Sequence, residues 1–192
     1  MARQKEFDID TVLDKAMTLF WQQGYEKTSL QQLINVMGIH RQSLYDTFGD
    51  KYNLYMEAVT RYQKIVKRYV DEQVLNGNHT VDIIRSLFFL IIEEENYRKY
   101  GCLVVNMTVE LAALDEQALK TSQEYFNRTE KLFFNLVVRG QELEQINPDL
   151  QADQAAKYLL NAWTGLRVLI KMNNSHEDLG SIVDTTLKIL EK

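Results

Sequence analysis

Thr28-Ser29-Leu30-Gln31-Gln32-Leu33-Ile34-Asn35-Val36-Met37-Gly38-Ile39-His40-Arg41-Gln42-Ser43-Leu44-Tyr45-Asp46-Thr47-Phe48-Gly49-Asp50 reads as two short amphipathic helices joined by a glycine turn. Thr28-Ser29-Leu30-Gln31 has the form of a capping box, Leu30, Leu33 and Ile34 supply one apolar face, and Gly38 ends the pattern. The next helix begins near His40 and runs to about Thr47. Leu44 and Phe48 face inward, while Arg41, Gln42, Ser43 and Tyr45 face out or flank the core. Two short helices around a tight glycine turn are the minimum for a helix-turn-helix, although many helical proteins contain such a corner.

Outward from this corner the chain stays helical. Asp8 is an N-cap candidate, with Phe7 and Val12 placed as a hydrophobic staple, and Ile9, Val12, Leu13, Ala16, Met17 and Phe20 recur at three- and four-residue spacing until Gly24. Asp50 caps a long fourth helix through Leu54, Ala58, Tyr62, Ile65 and Tyr69. Further helices are expected over Thr80 to about Tyr97, Val104 to Leu114, Asp115 to about Gln145, Ala152 to Met172 and Leu179 to Leu190, with a turn at Asn147-Pro148-Asp149. One proline and eight glycines in 192 residues leave little room for strands. The expected fold is all-α with about nine helices, and with no linker rich in Gly or Ser its parts must be joined by a helix.

Charge is unevenly placed. Residues 1–70 hold 10 Lys/Arg against 8 Asp/Glu, whereas residues 71–192 hold 12 against 19, so the net charge of −5 sits away from the N-terminal segment. That asymmetry permits local phosphate contact without demonstrating it. The N-terminus has no apolar h-region, and the longest apolar run, Leu87 to Ile92, is too short to span a bilayer. A cytoplasmic protein with no membrane partner is expected. One cysteine, Cys102, excludes an intrachain disulfide.

In order and spacing, Thr28-Ser29-Leu30, Leu33-Ile34, Gly38-Ile39, Arg41-Gln42-Ser43-Leu44-Tyr45, Thr47-Phe48-Gly49-Asp50-Lys51 and Leu54-Tyr55 resemble the N-terminal signature of the TetR family of transcriptional regulators. The resemblance covers about residues 8–58. It implies a helix-turn-helix domain over residues 1–52 and a helical domain over 53–192 that dimerises and binds a small-molecule inducer. A palindromic double-stranded DNA operator is the implied partner. His40 and Thr47 depart from the family pattern. On the matched positions, Thr28, Ser29 and His40 stand at helix starts whose free N–H groups suit phosphates. Arg41 and Gln42 suit base edges in the major groove. Ser43 lies beside them, and Tyr45 and Lys51 suit backbone phosphates. The plain alternative is solvated surface for Gln42, Ser43 and Lys51 and a boundary aromatic for Tyr45.

The C-terminal part is less specific. Its apolar faces are first of all a helical core. The pocket suggested by the resemblance has Phe88, Cys102, Met107, Glu110, Tyr125, Phe126 and Trp163 as candidate lining. Two further faces, Leu159, Leu160, Trp163, Leu166 and Ile170, then Ile182, Val183, Thr186, Leu187 and Leu190, are candidates for a four-helix homodimer interface, with burial inside one subunit as the alternative. Tyr100-Gly101-Cys102-Leu103-Val104-Val105-Asn106 resembles a Gly-Cys segment of some TetR relatives. A cysteine at a helix start near Arg98 and Lys99 suits an electrophile or oxidant sensor, and a small buried apolar residue is the other reading.

Two rival classes differ from a regulator in what the sequence must carry. For an enzyme the chain offers no phosphate-cradling glycine loop, nucleophile elbow or metal spacing; His40, His79 and His176 are scattered, and no cofactor or metal is expected. A helical protein-interaction module that does not bind DNA is the second, separated from a regulator by specific duplex binding.

Overall fold

The computed structural model describes residues 7–172 and 175–191. Among them are ten α-helices and two short 3₁₀ turns, without strands: α1 Ile9–Gln23, α2 Leu30–Met37, α3 Arg41–Phe48, α4 Lys51–Asn76, α5 Thr80–Glu93, α6 Glu95–Tyr100, α7 Leu103–Leu111, α8 Glu116–Glu142, α9 Ala152–Leu169 and α10 His176–Leu187. The 3₁₀ turns, Ile170–Met172 and Lys188–Leu190, tighten the ends of α9 and α10.

Local signals set most helix starts. Asp8, Asp50 and Asp115 each accept a hydrogen bond from the backbone N–H three residues on, occupying a donor that the helix start leaves free. The capping box sits one residue later than its expected place. Ser29 accepts from Gln32 N, and the Gln32 side chain accepts from Ser29 N. One expected helix is in fact two: the chain breaks at Glu94, whose carboxylate accepts from Asn96 N, so α6 restarts at a new angle without Gly or Pro. Ser175 starts α10 three residues earlier than its apolar pattern does.

α1, α2, α3 and the first turns of α4 surround Phe20, Leu33, Leu44, Leu54 and Tyr55, all closed to solvent. At ~1.5 Å per residue, α4 extends for about 39 Å, out of this small bundle and across α5 and α7. α8 pairs with α9, and α10 lies on α5 and α9. The apolar faces of the last two helices fill this second core: Leu159, Trp163, Leu166, Ile170, Val183, Thr186, Leu187 and Leu190 are buried within the subunit, Leu160 is half-buried and Ile182 is exposed. Most of the residues expected at a dimer interface are therefore the subunit's own core, because α8 and α5 already cover that face.

No helix among the described residues is long and apolar enough to cross a membrane. None of their His, Cys, Asp and Glu side chains gather in a group of three or more able to hold a metal.

Candidate nucleic-acid interface and effector cavity

Gly38 closes α2 in the left-handed region, φ 71° and ψ 32°, which lets Ile39 drop into the core and α3 start two residues later. α3 buries Leu44 and Phe48 and leaves Arg41, Gln42 and Tyr45 exposed on its other side, with Ser43 half-buried. Arg41 lies against the Tyr45 ring at 5.7 Å, and Gln42 Nε2 donates to Asp46 Oδ1 at 2.8 Å. His40, the residue before α3, is exposed and makes no side-chain cap, so among the described residues the first N–H groups of α3 are left uncapped. Ser29 is exposed at the start of α2. Thr28 is different. It is fully buried, its hydroxyl donating to Gly24 O at 2.6 Å, which ties the loop between α1 and α2 together and removes Thr28 from any outer surface.

That loop is gripped from below by α7. Glu110 Oε2 accepts from Tyr25 N at 2.9 Å and Oε1 from Glu26 N at 2.8 Å. Trp21 Nε1 donates to Gly101 O at 3.0 Å, and Gln22 Nε2 to the Tyr100 hydroxyl at 3.3 Å. The Tyr25 ring carries Lys51 Nζ 4.2 Å above it, at the start of α4. Tyr52 donates to Asp115 at 2.6 Å, and Arg61 pairs with Asp10 and Asp14. Burial and the Asp115 bond push the Tyr52 hydroxyl up to about 12, and the same bond lowers the Asp115 carboxyl. The α6–α7 segment is thus bonded directly to the small bundle that displays α3.

A cavity of about 480 Å³ opens between α4, α8 and α9. Val66, Val70, Leu132 and Trp163 form its apolar wall; Thr60, Gln63, Tyr125 and Thr129 add polar groups. Its charged groups are Lys64, Lys67, Arg128 and Asp71. A slightly larger hollow, about 510 Å³, at Glu93, Glu95, Arg98, Lys99 and Lys171 lies on the surface and is lined by charged residues alone, without an apolar wall.

Behind Tyr125 and Trp163 lies Arg167, 2% exposed. Its Nη1 donates to Cys102 Sγ at 3.0 Å and to the Tyr125 hydroxyl. Its guanidinium stacks on Trp163 at 4.7 Å, on Tyr97 at 5.8 Å and on Tyr125 at 5.9 Å. Burial pushes the Tyr62, Tyr97 and Tyr125 hydroxyls up, so all three stay neutral. Cys102 is fully buried at the start of α7, where Gly101 admits α9: a Cβ there would lie 3.0 Å from Arg167 O.

Of the residues expected to line a pocket, Tyr125 and Trp163 line this cavity. Cys102 sits one side chain further in, on Arg167. Phe88 packs with Phe133 and Trp163 in the core, Met107 is fully buried, Phe126 meets Tyr125 edge to face, and Glu110 faces the α1–α2 loop. Sequence reasoning passed over Arg167 itself. Its signal was present: Arg167 falls four residues after Trp163, on the face that Leu159, Leu166 and Ile170 bury.

Comparisons with known proteins agree with this arrangement. Residues 12–58 match the family model described as bacterial regulatory proteins, tetR family, and residues 84–185 match that of the tetracyclin repressor-like C-terminal domain. The chain is 30% identical over 194 residues to the uncharacterised HTH-type transcriptional regulator YezE of Bacillus subtilis, covering 100% of both. It is 28% identical to the HTH-type transcriptional repressor ComR of Escherichia coli, over 97% of the chain and 90% of that protein. A cysteine mutant of the TetR-family regulator CifR, solved with a 26-base-pair operator duplex, superposes with a TM-score of 0.83 at 27% identity, covering 98% of the chain and 100% of that one.

Proposed function

The chain belongs to the TetR family of bacterial regulatory proteins, a family of DNA-binding transcriptional regulators and not of enzymes, and on that premise we propose that it is a cytoplasmic repressor released from its operator by a small molecule. The observation that carries this reading is the outward face of α3, where Arg41, Gln42 and Tyr45 stand exposed beside the uncapped N–H groups that follow His40. Arg41 and Gln42 read bases in the major groove; Ser29, Ser43, Tyr45 and Lys51 hold phosphates. Residues 1–52 are the DNA-binding domain and 53–192 the effector and dimerisation domain. ComR's description as a repressor and CifR's operator complex support repression through duplex binding.

The chain works as a homodimer, since two copies of α3 about one DNA turn apart fit a two-fold operator. The strip left open along α9, Tyr158, Asn161, Gly165 and Val168, continued by Ile182 and Thr185 on α10, supports self-association. A Cβ at Gly165 would meet nothing within 4 Å, which leaves a notch for a second helix.

Release runs through α7. One end starts at Cys102 against Arg167, and the other grips the α1–α2 loop through Glu110. A ligand between α4 and α8 that moves Tyr125 and Arg167 shifts α7, and with it the loop and α3, away from the groove spacing. Anisotropy of a labelled duplex from upstream of the protein's own gene, against a scrambled duplex at two salt concentrations, tests the regulator reading. A preference surviving higher salt supports it, and no binding at low salt counts against it.

A second reading has its own observation. Arg167 Nη1 donates to Cys102 Sγ at 3.0 Å, so an electrophile or oxidant that reaches Cys102 acts on the group that holds Arg167, at the same end of α7. Release by a thiol-reactive reagent in the native chain but not in Cys102→Ser supports it; equal release in both removes it.

A further inference from the structure

The groups behind the cavity are short of acceptors and of negative charge. Among the described residues no carboxylate pairs with Arg167. Both of its hydrogen bonds run from Nη1, and Nε is buried without an acceptor. Trp163 Nε1, on the ring over which the guanidinium stacks, is buried without one as well. A guanidinium does not shed its proton, and burying one without a paired anion carries a large desolvation penalty. Stacking on aromatic faces offsets only a small part of that penalty. The three tyrosine hydroxyls around it are neutral and supply no counter-charge. The cavity in front has the same bias: Lys64, Lys67 and Arg128 face one acid, Asp71, which Lys67 already pairs.

From the juxtaposition of an apolar-walled cavity with a buried guanidinium lacking an anion, we infer that the cavity takes an organic carboxylate with a flat apolar body. The body lies against Val66, Val70, Leu132 and Trp163. The carboxylate turns toward Tyr125 and joins its hydroxyl as an acceptor for Arg167, whose Nε is buried without one. A neutral ligand leaves Arg167 unpaired, and a cationic one meets repulsion from four basic groups. A volume of about 480 Å³ is within the range of small-molecule sites. This inference rests on the reading of the same cavity as the effector site, and it names the chemistry of the effector. It also gives release a cause, since Tyr125 and Arg167 connect the cavity to Cys102 at the start of α7.

The test titrates the full-length chain with three matched sets of probes: naphthyl, phenyl and octyl bodies, each carrying a carboxylate, a primary amide or an ammonium group. Tryptophan fluorescence and the thermal midpoint are the readouts. At least one carboxylate is expected to bind about tenfold or more tightly than its amide, with the ammonium weaker still. Arg167→Met should bring that preference to within about twofold. The head-group series on the native chain needs no variant and decides even where Arg167→Met does not fold. Binding without head-group preference, preference for amide or ammonium, no binding by any carboxylate, or a carboxylate preference kept in full by Arg167→Met would each overturn the inference. The two readings fail separately. Specific duplex binding with no carboxylate binding refutes the ligand class alone, whereas carboxylate binding with no specific duplex binding refutes the regulator reading alone.

Discussion

Replacing Glu110 by alanine isolates the contact through which α7 holds the DNA-binding bundle. The carboxylate accepts from two backbone amides, from Tyr25 N at 2.9 Å in a part-buried setting and from Glu26 N at 2.8 Å in an exposed one. A hydrogen bond to a charged group contributes about 1.5–3 kcal/mol where water is excluded, and the Glu26 bond is the more exposed of the two, so about 2 kcal/mol is expected for the pair. At about 1.4 kcal/mol per tenfold, exchange protection of these two amides should fall about 30-fold. For a chain of this size the thermal midpoint should drop by about 4–8 °C. Amide hydrogen exchange of the full-length protein reads the local effect directly. Glu110→Gln keeps one acceptor oxygen and should fall between native and alanine. If the Tyr25 and Glu26 amides exchange at native rates in Glu110→Ala, the clasp does not hold the loop, and the route proposed from cavity to α3 loses its last step.

Other outcomes follow from single contacts. Ser29→Ala removes the first half of the capping box and should cost about 1 kcal/mol in urea denaturation. Arg41→Ala should flatten sequence preference across a set of duplexes, whereas Lys51→Ala should weaken all of them alike and reduce the salt dependence of binding. Unchanged preference in Arg41→Ala would place base reading elsewhere. The Asp115 carboxyl is lowered by its bonds from Tyr52 and Ala118 N. Its folded value lies below its unfolded one, so its stabilisation is complete at neutral pH and is lost as pH falls below about 4. Tyr52→Phe should flatten that acid limb of the stability profile; an unaltered limb would remove the bond from the account.

How much of this was legible in the sequence depends on the range of the cause. Caps and turn glycines act within a few residues, so Asp8, Asp50, Gly38 and the α2–α3 corner were placed from local spacing. Ser29 displaced Thr28 as the cap because Thr28 is drawn inward to Gly24 O, a bond that a capping pattern does not encode. The break at Glu94 has no glycine or proline to mark it, and the apolar pattern continues across it to Tyr97. Periodicity showed that Leu159, Leu166, Val183 and Leu187 are buried, but it carries no information on whether a partner or the same subunit buries them; here α5 and α8 do. The candidate pocket had the same weakness. Tyr125 and Trp163 reach the cavity while Phe88 and Met107 fill the core, since a stripe of large side chains looks alike in both places. Arg167 and Glu110 gain their meaning from partners 65 and 84 or more positions away, at Cys102 and at the α1–α2 loop, and only the fold brings them together.

The most direct test of the central claim is selection by the purified full-length protein from a library of random DNA duplexes, followed by sequencing of what it retains. A two-fold symmetric sequence with half-site centres about one helical turn apart should be enriched, and the enrichment should be lost from the positions read by Arg41 when that residue is alanine. A retained pool with no enriched sequence would contradict the assignment of a sequence-specific regulator.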